Sequence, residues 1–384
     1  MPLTRHFYES DEVQSSLYYC SSRRDLKETE FWCHEMVISG YISEAISVLF
    51  ESWLWQRGPF YLRWLLDART LMEKTVSEQA IMNAAVQLSS CAEWDNSVWA
   101  ILMSDTTKVD RVTMKTPPWI PSDCDAAHLF LYRALYQGKA RSAWAMVLRH
   151  PRQKMWSLLR EYGTHLSSFY AECFDILEHY EDLLGYKSDA YDTVILCVAT
   201  LMLCLSPTKR ESSFQQRPYQ ERSFCIPIGR KAARMYSIPS VALYGTQRGT
   251  TLCTQYHTNG LYDIEKEIKG CPFWDEALRE YQRQGKWVSD DAMEAFYDRY
   301  FPDDIPDEWS KEEKLKSHGA GLLHAGDRMT LQRYAKIHFT KPCRLAFMST
   351  ILKLDGMEGC NVLDAIQYRS VEINLKPVRR RYVS

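Results

Sequence analysis

No sign of charge dominates this chain. Its 384 residues carry 47 basic and 49 acidic side chains, a formal net charge of −2. A global positive field that would draw the protein onto nucleic acid is therefore absent, and any such contact must be a local patch. Long apolar runs are absent too. The longest, residues 194–205, is interrupted only by Thr200 and falls well short of the roughly 20 residues that a membrane helix needs. It reads as a buried helix, and no membrane association is expected.

Secretory features are also missing. The opening residues, Met-Pro-Leu-Thr-Arg-His-Phe, lack a leader pattern. The 12 cysteines are scattered, and Cys33, Cys197 and Cys204 sit in apolar helical runs. That distribution fits buried reduced thiols in an intracellular protein rather than a disulfide framework.

Catalytic signatures are equally sparse. No Gly-rich loop ends in Gly-Lys-Ser or Gly-Lys-Thr, and no Gly-x-Ser-x-Gly elbow occurs. Tyr244-Gly-Thr-Gln-Arg-Gly-Thr-Thr251 has two glycines and an arginine, but no helix follows onto whose positive end a phosphate would dock, so it reads as a turn. Cys225, Cys253, Cys271 and His257 include zinc-ligand types, yet the paired spacing of zinc knuckles is missing. Glu172, Asp175 and His179 share a helix face without the Glu-x-x-His pattern of di-iron bundles, so a solvated acidic face is the reading. His34 follows Cys33 directly and so points to another face. No enzymatic activity, cofactor or metal is expected.

What is present is helical periodicity with clear punctuation. Ser22 is placed to cap a helix with Asp25 in its first turn, and Phe31, Cys33, Met36 and Val37 recur at helical spacing until Ser39-Gly40. Ile42, Ala45, Ile46, Leu49, Phe50 and Trp53 continue a second helix to Gly58-Pro59. Helices are further expected over 60–73, 77–88 and 97–103. Thr116-Pro-Pro-Trp-Ile-Pro121 is a loop, because adjacent prolines neither donate nor propagate a helix. A second helix–Gly–helix unit spans 125–150, hinged at Gly138. Superposing Gly138 on Gly40 brings Leu129 over Phe31, Leu135 over Val37, Ala143 over Ala45 and Trp144 over Ile46. Long helices over 152–184 and 190–205 complete a first domain.

Composition changes beyond residue 205. Residues 206–213 read as a linker, and 224–262 as irregular with a two- or three-stranded piece. Helices return over 264–269, 273–283 and 289–300. Ser310-Lys-Glu-Glu313 has capping-box spacing, and a last helix spans 330–354. The fold class expected is mainly α: helical hairpins or a bundle over 1–205, with a smaller irregular α+β region over 206–384. Two basic clusters, Arg230, Lys231 and Arg234, then Lys376, Arg379, Arg380 and Arg381, are the candidate nucleic-acid contacts. Trp53 and Trp55 lie two apart on one helix and cannot share a core stripe, so Trp55, with Trp64 after it, is a candidate interface ring.

Asp25-Leu-Lys-Glu-Thr-Glu-Phe-Trp-Cys-His-Glu-Met-Val-Ile-Ser-Gly-Tyr41 resembles the opening helix of the C-terminal collar domain of clamp-loader-type ATPases. The hairpin, together with residues 302–319, is more similar to uncharacterised proteins of large double-stranded DNA viruses. The collar resemblance implies an all-helical, self-associating domain with no catalytic residues of its own. The viral one supplies no established activity; near-neutral charge and abundant Trp and Tyr favour a structural or assembly protein of the host cytoplasm, nucleus or virion, joining protein partners or its own copies. The collar resemblance and the basic tail favour the alternative, a DNA-replication accessory.

Overall fold

The structure, a computed structural model, describes residues 4–8, 10–91, 97–102, 104, 107, 109–121, 123–185, 189–204 and 264–301. Of the described residues 73% are helical, with one two-stranded sheet among them, so the mainly α expectation holds. The linker at 206–213, the irregular 224–262 region and the helices expected at 310–313 and 330–354 lie outside the described residues.

The chain forms two compact units, and the division is not the one expected at residue 205. The first unit joins residues up to 21 and 25–48 with 264–301, and the second takes 22–24 and 49–204. Sequence composition marks linkers, but a unit is defined by which distant segments bury each other.

In the first unit, α1 (Ser10–Arg23) runs past residue 22 and stops where Arg24 turns left-handed (φ 63°). The cap of α2 (Leu26–Ile38) is therefore Asp25, whose carboxylate accepts from the Glu28 N–H. Ser22, the expected cap, lies within α1. Gly40 (φ 75°) closes α2 as foreseen: its N–H reaches the Val37 carbonyl, and that of Tyr41 reaches Met36. The beginning of α3 (Ile42–Gln56) follows. From the C-terminal side come α13 (Ile264–Glu267), α14 (Pro272–Tyr281), a hairpin of β1 (Gln282–Arg283) and β2 (Lys286–Trp287), and α15 (Asp290–Tyr300), capped by Ser289. The hairpin turns on Gln284 and Gly285, both at positive φ, which a two-residue primed turn demands.

The second unit holds the rest of α3, α4 (Leu62–Asp67), α5 (Glu78–Ser90), α6 (Ser97–Leu102), α7 (Ala126–Tyr136), α8 (Ala140–Leu148), α9 (Arg152–Leu166), α10 (Ser168–Glu178), α11 (Tyr180–Leu184) and α12 (Asp189–Cys204). Short 3₁₀ turns flank α4, at Gly58–Phe60 and Ala68–Met72. Residues 194–204 of α12 are all buried, the placement expected of a helix apolar on every side, and α6 to α10 pack on it. The single helix expected over 152–184 is three. Ser167 is extended (φ −176°) and His179 leaves the helical region, so α10 folds back on α9. Gly163 makes that approach close: a Cβ there would lie 2.8 Å from the Phe174 ring.

Gly138 (φ 65°) ends α7 with the same pair of bonds as Gly40, Gly138 to Leu135 and Lys139 to Ala134. The paired positions Leu135 and Val37, Ala143 and Ala45, and Trp144 and Ile46 are all buried. Leu129 and Phe31 are only half-buried.

Candidate functional site

Three groupings of polar side chains bear on function. In the first unit, residues 4–8 form a tight turn against α2. Thr4 N–H donates to the Tyr8 carbonyl at 2.8 Å, and the Arg5 N–H to Ser39 Oγ at 2.8 Å. The His6 N–H donates to Glu35 Oε1 at 2.9 Å while the His6 ring meets Glu35 Oε2. Glu35 is fully buried. Burial alone would raise its pKa, but the His6 charge and the hydrogen bonds from His6 and Thr4 outweigh that and hold it below the usual carboxylate range. Trp274 Nε1 donates to the His6 carbonyl at 3.1 Å, and Tyr8 Oη lies 3.6 Å from Cys271 Sγ. Burial pushes the Tyr8 phenol up and the Cys271 thiol to about 11, so both stay neutral near pH 7. Phe7, at a positive φ of 70°, is buried with its ring edge-on to Trp274 and Phe301. A strained turn held by a buried ion pair and aromatic rings is a fastening, and its ionisable atoms face no solvent.

The interior of the second unit is similarly closed. Tyr191 Oη donates to buried Glu51, Tyr180 Oη donates to Asp192 Oδ1 at 2.7 Å, and Arg152 pairs with the other oxygen of Asp192. Trp64 Nε1 donates to the Ala84 carbonyl at 2.9 Å and Trp53 Nε1 to that of Tyr61 at 2.9 Å, with the two indoles stacked. Burial raises the Cys204 thiol here, and that of Cys33 in the first unit, to about 12. Such thiols are poor nucleophiles.

The third grouping is on the surface of the second unit, where residues 109–117 cross the turn between α7 and α8. Gln137, the C-cap of α7, binds this segment through both ends of its amide: Oε1 accepts from the Thr113 N–H at 2.9 Å, and Nε2 donates to the Lys115 carbonyl at 2.9 Å. Ser142 Oγ donates to the Asp110 carbonyl at 2.8 Å, and Arg133 Nε to Thr116 Oγ1 at 2.8 Å. The crossing gathers Arg111, Lys115, Arg133, Lys139 and Arg141, with Asp110 the one acid in segments 109–117 and 133–142. Lys115 Nζ sits over the Tyr136 ring, 5.5 Å from its centroid. Tyr136 is 43% exposed, Val109 47% and Met114 77%. Among the described residues, none of Arg111, Lys115, Arg133 and Lys139 is ion-paired.

The residues singled out from sequence fall elsewhere. Arg230, Lys231, Arg234, Lys376, Arg379, Arg380 and Arg381 lie outside the described residues, as do Cys225, Cys253, His257 and the 244–251 turn. Trp55 and Trp64 are both buried, which corrects their assignment as interface rings. The two-residue spacing does send Trp53 and Trp55 to different faces, but Glu51, Ser52, Trp53, Leu54, Trp55 and Gln56 are all buried, so this end of α3 has no surface side. Asp175 and Glu178 hold Arg160 between them, and His179 Nδ1 lies 3.0 Å from the Asp175 carbonyl. Among the described residues no cluster of His, Cys, Asp and Glu could hold a metal ion, and no helix is long and apolar enough to cross a membrane.

The α7–α8 surface had a sequence signal that was not read. Residues 126–160 carry seven basic side chains and no acidic one, in a chain whose total is near neutral. Compared with known proteins, the chain matches no family model, no curated protein and no solved structure.

Proposed function

We propose that this protein works by holding another macromolecule rather than by catalysis, and that the surface around the α7–α8 turn is where it does so. One observation carries the reading: Arg111, Lys115, Arg133 and Lys139 lie at this turn with no ion-pair partner among the described residues, although the chain as a whole is at −2. The buried ionisable groups, by contrast, are engaged with one another, as in His6 with Glu35 and Tyr180 with Asp192. A local field of this kind attracts and orients an anionic partner, and it does so most strongly at low salt.

Of the two settings expected from sequence, the surface favours a DNA-replication accessory over a structural assembly protein. The assembly reading drew its interface from Trp55 and Trp64, which are interior. It keeps Val109 and Met114 as exposed apolar groups, set among the cations.

Cation-exchange chromatography tests the reading without knowledge of the partner. A chain of net charge −2 with evenly spread charge passes such a column at pH 7.5. This one should be retained at about 50 mM salt and released by about 0.3 M, where screening shortens the reach of its field. Changing Lys115 and Lys139 to Glu should abolish retention. Unretarded wild-type protein, or a variant held as tightly, overturns the reading.

A further inference from the structure

We infer that the macromolecule taken by the α7–α8 surface is a single-stranded nucleic acid. The inference rests on the docking surface proposed above and names its occupant. Phosphate binding needs cations that are exposed and not already matched by carboxylates. Arg111 and Lys115 are exposed, Arg133 and Lys139 are half-exposed, and none of the four is ion-paired among the described residues. The segment carrying Arg111 and Lys115 is fixed to α7 and α8 by Gln137, Arg133 and Ser142, so cations distant in sequence are held at one turn. A preset array loses less side-chain entropy on binding than one gathered from mobile loops.

The choice of a single strand comes from what lies among the charges. Tyr136 offers a half-exposed ring within the cation cluster, with Lys115 at its face. Unstacked bases present π-faces that settle on such a ring while the backbone follows the cations, whereas a duplex hides its bases. Acidic peptides supply charge but no flat ring system to stack on Tyr136. Val109 and Met114 widen the apolar ground beside it.

The test is fluorescence anisotropy of the full chain with a labelled mixed-sequence 20-nucleotide DNA, an equal-length duplex and a polyglutamate peptide. If Arg111, Lys115, Arg133 and Lys139 all meet phosphates, log affinity for the single strand falls against log salt with a slope of about −2.8, roughly a 50-fold loss from 50 to 200 mM. Lys115→Glu with Lys139→Glu should reduce the slope to about −1.4. Tyr136→Leu should weaken single-strand binding about tenfold with little change in slope, because it removes stacking and no charge. Circular dichroism of each variant checks that the helices are intact. Single-strand binding that survives the double change overturns the inference, since the contact would then lie elsewhere. Equal or tighter binding of duplex or polyglutamate overturns it as well. Retention on the cation exchanger without oligonucleotide binding would leave the docking surface standing and remove only its occupant.

Discussion

His6→Ala gives the sharpest test of how the first unit is fastened. The substitution removes one partner of a buried pair and leaves Glu35 with the residue-6 N–H and the Thr4 hydroxyl. Stranding a buried charge in this way costs on the order of 3–5 kcal/mol, and the two remaining donors place the expectation near the low end, at about 3 kcal/mol. The sign of the pH dependence follows from Glu35. Its folded pKa is depressed from the ordinary 4.5, so its contribution is present above pH 4.5 and is lost as pH falls below that toward the folded value. Without the His6 ring, burial dominates and favours the neutral acid. The deficit of His6→Ala is therefore largest near pH 7 and shrinks in acid. Met36, buried in α2, is a local reporter: its oxidation by peroxide, followed by mass spectrometry against urea, gives the opening free energy of the first unit. Adding Glu35→Met should recover part of the loss, because the stranded charge goes with it. A deficit under about 1 kcal/mol, one that does not change with pH, or strict additivity in the double variant would refute the reasoning.

Gly163→Ala sets about 1 kcal/mol of gained helix propensity against a Cβ only 2.8 Å from the Phe174 ring, and overpacking should win by about 1 kcal/mol in urea denaturation, with Phe174→Leu relieving the crowding. Stability equal to or above wild type would show that α9 and α10 separate at little cost. Trp55→Ala should lower stability by about 3–5 kcal/mol, as a buried ring does, rather than dissociate an oligomer; a normally stable variant of lower native mass would contradict its interior position. In native protein at pH 8, iodoacetamide should leave Cys33, Cys204 and Cys271 unlabelled while half-buried Cys124 reacts, and peptide mass spectrometry showing Cys33 labelled as fast as Cys124 would refute their burial.

Where local chemistry decided an element, the sequence was readable. Ser77, Asp125 and Ser289 cap the helices expected after them, each accepting from a backbone N–H in the first turn. Gly40 and Gly138 stop helices because each turn needs a positive φ. Where tertiary contact decided, it was not. Neither Ser167 nor His179 is a strong helix breaker; α9 and α10 part there because Gly163 lets Phe174 approach and Arg160 reaches back to Asp175 and Glu178. The hairpin at Gln284 and Gly285 lacks the Asn-Gly or Asp-Gly signal of such turns. Pairing of residues 4–8 with Trp274 spans more than 260 positions, beyond any local pattern. The surface at the α7–α8 turn was half legible: the acid-free run over 126–160 is visible, but Arg111 and Lys115 join it only through Gln137 and Ser142.

Net charge was the weakest guide, and the second unit shows why. Residues 161–192 carry eight acidic side chains and one lysine, directly after a run of seven cations without an acid. The two stretches do not cancel evenly. Asp175 and Glu178 are spent on Arg160, and Asp192 on Arg152, so these carboxylates neutralise two of the three α9 cations. Arg133 and Lys139 at the α7–α8 turn are left without a carboxylate partner among the described residues, and the crossing segment adds Arg111 and Lys115 beside them. Attraction between exposed charges fades beyond about 10 Å at 0.1 M salt, so acids already paired along α9 and α12 do little to cancel a cluster elsewhere. A total of −2 thus excludes a global basic field, while the ion pairs of Arg152 and Arg160 leave Arg133 and Lys139 uncompensated among the described residues.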